Sequence, residues 1–548
     1  MQRRSALLLF CLFIVSAAAQ PVLQSYAPIL NSASYMSPGM PGSGIAQGSI
    51  FAIFGSGFGP SDSFSQATGF PLPKTLGGVT VQVTVGGTTV PAIMLGVYYG
   101  YQINALLQSS TPAGSGTLTV SYGGQSSSAP IQVVATAFGL YAANSEGLGQ
   151  ASATDAAGNA NSIINTVHPG DTVSLWGTGL GPVSWDETQP PTAADLANSL
   201  PVTTQVYVGN TSVAAGYHGR ASCCSGLDRI DFVVPADIEG CYIPVAVQAA
   251  GVLSNIETIA VSSSGNSCGD SPLGQDLVNK LASGQTVNFG YIRLEGGAYI
   301  GGDGGFATFN QFTPATATRA SYAPSAGYCT AVDLSDRSSL FINGGLSLTD
   351  LTPAYFGLDA GPVISVQGAA GKATVPQIFG GLYYNFSLGN GGARFLWASP
   401  PSYTVSNGTG GSSVGAFSAA VDVSGSASMF TNIFRYGTIP LNSDLTVKWN
   451  TSDFSQPNGL ATIGAISFNE GNVNVVLMQC TAPVAAGQFT IPQWILSVLP
   501  PSGYNGTSQR RGFMWLGQYD PPVTFSAPGL DKGILSDVTF YLTQVGFQ

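Results

Sequence analysis

The chemistry-bearing residues of this chain are few. Its C-terminal half has two glutamates, Glu295 in IRLEGG and Glu470 in SFNEGN, with aspartates such as Asp333, Asp336 and Asp422 scattered around them. Paired carboxyls of this kind could serve glycoside cleavage, one as acid and one as base or nucleophile. GSSVG at 411–415 matches the nucleophile-elbow pattern around Ser413, but the only histidines, His168 and His218, lie far upstream, so a serine triad or a histidine-rich zinc site in that half is excluded by inventory. DAAGNAN (155–161) and LNSDLT (441–446) are acid- or amide-bearing turns without the spacing of a calcium loop. This inventory therefore implies no cofactor and no metal. Aromatic side chains offer a different chemistry: Tyr383, Tyr384 and Trp397 fall in two adjacent apparent strands, and Trp515 lies near a turn. Rings on a solvated face stack on sugars, so these four are the candidate ligand-binding residues, with core packing as the competing use.

Two glycine loops complete the inventory. IFGSGFGP (53–60) and LWGTGLGP (175–182) suggest a phosphate cradle at first sight. A dinucleotide loop needs the spacing G-x-G-x-x-G and a helix after it, whereas here the spacing is G-x-G-x-G and proline follows at once. The glycines instead let the chain bend out of an apolar strand.

The flanks of the two phrases match as well. IAQGSIFAIFGSGFGP lies over VHPGDTVSLWGTGLGP at an offset of 122 residues, VTVGGTTV (83–90) over VYVGNTSV (206–213), and YQIN (101–104) over DRID (228–231). The chain holds two copies of one β-module of about 100 residues. With NSASY (31–35), LPKTLGGVTVQV (72–83) and LDRIDFVVP (227–235), the pattern resembles the immunoglobulin-like IPT/TIG class of β-sandwich, and more closely the tandem module called the Solibacter uncharacterised C-terminal domain, over about residues 28–262. The resemblance implies a sandwich fold and an exported setting, and it supplies no catalytic residues. It departs from the family in having some 280 residues after the modules and an unusual ASCCSG loop in the second copy.

Composition sets the frame that must position these residues. The N-terminus MQRRSALLLFCLFIVSAAAQ reads as a signal peptide cleaved near Gln20, and Cys11 is placed wrongly for a lipoprotein anchor. The net charge of −11 becomes −13 once Arg3 and Arg4 leave, which argues against nucleic acid as a partner. No later segment is long enough to span a membrane as a helix, and the strands of the C-terminal half are short for a membrane barrel. Only 8% of residues are charged, yet 28 Phe and 22 Tyr can fill cores, so ordered, turn-rich β-structure is expected despite 72 glycines. Five N-x-S/T sequons occur, at Asn210, Asn385, Asn407, Asn450 and Asn505.

Six cysteines remain after export: Cys223, Cys224, Cys241, Cys268, Cys329 and Cys480. An even number in an exported chain favours disulfides. The expectation is Cys329 with Cys480 and the first four among themselves, with the adjacent Cys223 and Cys224 not joined to each other because of ring strain.

The fold class expected is all-β, with two tandem immunoglobulin-like sandwiches (20–140 and 141–265), a linker (266–274) and a larger antiparallel β-sandwich (275–548), for which a jelly roll is one form. QDLVNKLASG is the one short helix expected. The function expected is non-enzymatic adhesion or ligand binding outside the cell, toward a glycan or a cell-surface protein. A polysaccharide-active enzyme with its site in 275–548 and a structural envelope component are the alternatives.

Overall fold

The structure, a computed structural model, describes residues 20–297, 303–319, 323–335, 357–385, 388, 395–397, 399, 401–423, 429–469, 473–502 and 512–548. The leader, Asp336, Glu470 and the sequon at Asn505 lie outside the described residues, as do the side chains of Tyr384 and Trp397.

The repeat read from the sequence is a repeat of topology. In the first copy, Ile50–Ser56 pairs with Gln102–Leu106, which pairs with Ile93–Tyr98; in the second, Thr172–Thr178, Asp228–Val233 and Tyr217–Arg220 follow the same order. The opposing sheets also correspond. Ile45–Ala46, Gln125–Val134, Gly114–Tyr122, Thr80–Val85 and Thr88–Pro91 are matched by Gly149–Gln150, Glu257–Val261, Gly240–Ala249, Thr204–Val208 and Thr211–Ala214, including a parallel edge pairing in each copy. Each pair of sheets closes over its own core, with Phe51, Ile53, Val83 and Ile103 in one and Val173, Leu175, Val206 and Ile230 in the other. The period-two burial of Thr80–Val85 is what a strand with one core-facing side requires.

The glycine loops end the equivalent strands. Gly57 and Gly179 hold φ of 70° and 110°, a left-handed backbone in which a Cβ is strained. Gly55 and Gly177 serve packing: a Cβ there would lie 2.4 Å from the Phe58 ring and 2.3 Å from the Phe138 ring.

The C-terminal half opens with the expected helix, Gly274–Ala282, and continues as one 14-stranded sheet with a small two-stranded sheet beside it. It is not antiparallel throughout, as the sequence reading had it. Val287–Gly296 and Lys532–Phe547 run parallel at its centre, so the first and last strands of this half are neighbours. Most other pairings in the large sheet are antiparallel, from Tyr328–Asp333 on Val475–Pro483 at one edge to Ser402–Ser406 on Ser418–Asp422 at the other. Parallel neighbours need a long connection, and nearly the whole half supplies it. Both central strands are buried along most of their length, because apolar clusters cover both faces of the sheet. A further core joins all three parts of the chain, bringing Met36 and Met40 together with Leu253, Ile256, Met478 and Trp494.

Cys329 and Cys480 are directly opposite in register and bonded, and Cys241 bonds Cys268. The expectation for the other two is corrected: Cys223 and Cys224 are bonded to each other. Once Cys241 and Cys268 pair inside the structure, the exposed loop that holds Cys223 and Cys224 leaves each sulfur with no other thiol to meet. The segment read as a linker is pinned by Cys268 and by buried Leu273. Among the described residues, no helix is long and apolar enough to cross a membrane.

Candidate functional site

A cleft of about 550 Å³ opens between the end of the second module and the centre of the large sheet. One wall is Tyr242 and the segment 269–274; the other combines Tyr291 and Arg293 from Val287–Gly296, Tyr519 and Asp520, and Lys532 and Ser536 from Lys532–Phe547. Parallel pairing sets Arg293 opposite Ser536, and strand alternation then puts both on the cleft side.

A buried polar network supports this surface. Arg293 donates to Glu295 through Nε at 2.8 Å and Nη2 at 2.5 Å, and its guanidinium lies 5.6 Å from the Phe306 ring centre. Gln479 donates to the Tyr519 hydroxyl at 2.7 Å, and burial pushes that phenol up to about 12. The Lys532 ammonium is held at the rim by the Leu273 carbonyl (3.0 Å) and Asp276 (3.2 Å). Lys280 reaches Asp531 at 3.0 Å, which fastens the helix to the same strand.

Asp520 carries a carboxyl into the cleft wall, where Gln518 and Ser455 donate to it. Behind it, the oxygens of Asp537 meet no N–H or O–H donor among the described residues; the group they approach is the Asp520 carboxyl. Burial first, then the charge and hydrogen bond of Asp520, raise Asp537 to about 8, so it is neutral at pH 7.

The residues singled out from sequence fall elsewhere. Tyr383 is buried, accepting from the Ala360 amide at 3.0 Å and donating to the Gly361 carbonyl at 2.7 Å, with its ring edge-on to Phe309. Trp515 is buried against Gly464 and Phe540. Neither presents a face to solvent, so both are withdrawn as stacking platforms: their strands lie mid-sheet, where both sides are covered. Glu295 is committed to Arg293. Ser413 sits in an exposed loop held by Asp359, whose carboxylate accepts from the neighbouring Ser412. His168 contacts Asp171 at 3.2 Å and the Gly265 carbonyl at 2.9 Å, as a loop residue does. Among the described residues, no group of three or more metal-ligating side chains occurs.

Sequence reasoning missed Asp520, Asp537, Arg293 and the cleft tyrosines. One signal was present: Arg293 and Asp537 interrupt the apolar strands GYIRLEGG and ILSDVTFYL, and a charge inside such a run must find a partner.

No protein-family model matches the chain, and no curated protein sequence matches it. The likeness to the tandem module named above therefore rests on its motif residues. Among solved structures, the chain is similar to SGBP-B of the Bacteroides ovatus mixed-linkage glucan utilization locus, in complex with a mixed-linkage heptasaccharide, at 11% identity, covering 87% of this chain and 93% of that one with a TM-score of 0.13. Domains 5–6 of the S-layer protein SbsC match at 16% identity over 45% of this chain and 100% of that one, TM-score 0.17. Invasin, a bacterial integrin-binding protein, matches at 11% over 89% and 75%, TM-score 0.12. At these scores the likeness carries no functional argument; immunoglobulin-like character rests on the paired sheets described above.

Proposed function

We propose that the protein is an exported binding protein whose two modules, of the IPT/TIG type, hold a C-terminal domain that takes a neutral polyhydroxylated ligand, a saccharide, in the cleft. The observation that carries this reading is the cleft lining. Tyr242, Tyr291 and Tyr519 line it as largely buried walls, and its two cations are already paired, Arg293 with Glu295 and Lys532 with Asp276. Such a surface has donors and acceptors without a net field to select an ion. The acid pair speaks for the enzyme alternative, but glycoside cleavage needs carboxyls about 5 Å or more apart on either side of the sugar, and Asp537 is buried behind Asp520 rather than facing it across the cleft. Binding is therefore the reading preferred.

Titration calorimetry of the mature protein with neutral oligosaccharides tests it, with reducing sugar assayed in the same samples. Thr524 lines the cleft and is exposed, so Thr524→Trp blocks the opening without disturbing the core. The expected result is saturable binding, at least about tenfold weaker in Thr524→Trp, with no sugar released. Released sugar would establish the enzyme instead, and binding unchanged in the variant would remove the cleft as the site.

A further inference from the structure

A second aromatic constellation lies at the far end of the first module. The hairpin between Ile93–Tyr98 and Gln102–Leu106 turns through Tyr99, Gly100 and Tyr101, beside the short edge strand Phe64–Gln66. Phe64, Tyr99 and Tyr101 are 58%, 43% and 52% exposed. Their rings form a strip: Tyr99 and Tyr101 lie 6.0 Å apart and within 15° of parallel, and Phe64 is 6.2 Å from Tyr99.

The backbone beneath is fixed. The Tyr99 amide donates to Ser63, the Tyr101 amide to Tyr98, the Phe58 amide to Gly100 and the Gly55 amide to the Tyr101 carbonyl, all at 2.9 to 3.0 Å. Tyr99 itself holds φ of 48°, a left-handed conformation that a bulky side chain adopts only when its surroundings impose it. The glycine loop thus braces the hairpin that displays the rings.

The fold does not require those rings. The second module builds the same hairpin with the tip ASCCSGL, and although Ser222, Cys223 and Cys224 stay exposed, the end of the tip is buried in the joint between modules: Gly226 packs on Ile50 and Leu106, and its carbonyl accepts from Thr178 at 2.6 Å. Among the described residues the first-module tip meets no such surface, and Tyr99 and Tyr101 stay exposed.

We infer that Phe64, Tyr99 and Tyr101 form a saccharide-stacking platform, a contact site for neutral polysaccharide separate from the cleft. Two tyrosines give the strip polar edges beside apolar faces, the combination that suits a sugar ring and its hydroxyls. Size favours a sugar over a protein. Three half-exposed rings offer roughly 300 Å², against about 800 Å² per partner in a stable protein interface. The site stands on the first module alone and does not rest on the cleft reading.

Affinity electrophoresis of the full mature protein tests it, in gels containing mixed-linkage β-glucan, xylan or starch and in depletion assays with cellulose. The variant combines Phe64→Ser, Tyr99→Asn and Tyr101→Ser; asparagine tolerates the left-handed backbone. The expected result is retardation or depletion on at least one polysaccharide, weakened at least tenfold in the triple variant and retained in Thr524→Trp, with the thermal unfolding of both variants unchanged. Absence of retardation and depletion on all four would overturn the proposal, as would equal binding by the triple variant. Sedimentation of the same samples adds a third outcome that would overturn it: self-association lost in the triple variant would make a second copy of the chain the occupant.

Discussion

The two modules share one strand order and one glycine loop, yet they spend the adjoining hairpin tip on opposite tasks. In the second module the tip is a joint. Arg220 forms a buried ion pair with Asp228 and also donates to the carbonyls of Gly48 (3.0 Å) and Gly181 (2.6 Å), one in each module. Asp228 accepts from the amides of Gly179 and Leu180, and Glu187 accepts from the Ser109 amide across the same boundary at 2.6 Å. In the first module the equivalent tip carries tyrosines and faces solvent. A repeated scaffold thus fixes where a loop is presented, and the loop residues decide whether it joins two domains or meets something outside.

The comparison breaks most sharply at the joint. Asp228→Ala leaves Arg220 buried without its partner, and the expected cost is about 3–5 kcal/mol, read as a lower denaturation midpoint. Loss at the level of a surface substitution would mean the joint contributes little. The disulfides come next. Cys329 and Cys480 close a separation of 151 residues, and the paired Ala variant should lose about 5 kcal/mol in the loop-closure view. Cys223 and Cys224 are adjacent, so the paired Ser variant should change stability by less than about 1 kcal/mol. Equal effects would show that the vicinal bond shapes the joint itself.

A pH series reads the cleft only when the Asp537 variant is compared with the parent, because burial also raises Asp228 and Glu187 at the joint. Asp537 titrates at about 8 when folded, against about 3.9 in an unfolded chain. Between those values the native state binds more protons, so stability falls as pH rises from about 4 to about 8. Asp537→Asn should flatten that slope and gain about 2 kcal/mol at pH 8, with little change at pH 5. A slope unchanged in the variant would place the titrating group elsewhere. The smallest stability effect is expected at the free tip, where the triple variant should shift unfolding by less than about 0.5 kcal/mol; a larger loss would mean the rings are structural after all.

Much of the architecture was legible before any coordinates. Local rules govern it: apolar alternation marks strands, and glycines at matching positions mark the bends that end Ile50–Ser56 and Thr172–Thr178. The site was not legible by the same rules. Tyr383 and Trp515 carry the residue types of a stacking surface, but placement mid-sheet buried them, whereas Phe64, Tyr99 and Tyr101 lie in a module that looked like a spacer.

By itself, the sequence determined the β-class, the tandem repeat and the short helix, because each follows from local periodicity or fixed offsets. Only the tertiary structure decided which strands became neighbours. Arg293 and Ser536 are 243 residues apart in the chain and face each other because the first and last strands of the C-terminal half run side by side. Asp520 and Asp537 come together where Gly512–Tyr519 runs antiparallel to Lys532–Phe547: side-chain chemistry acts over a few ångströms, and strand pairing, which no local pattern encodes, sets which groups come that close.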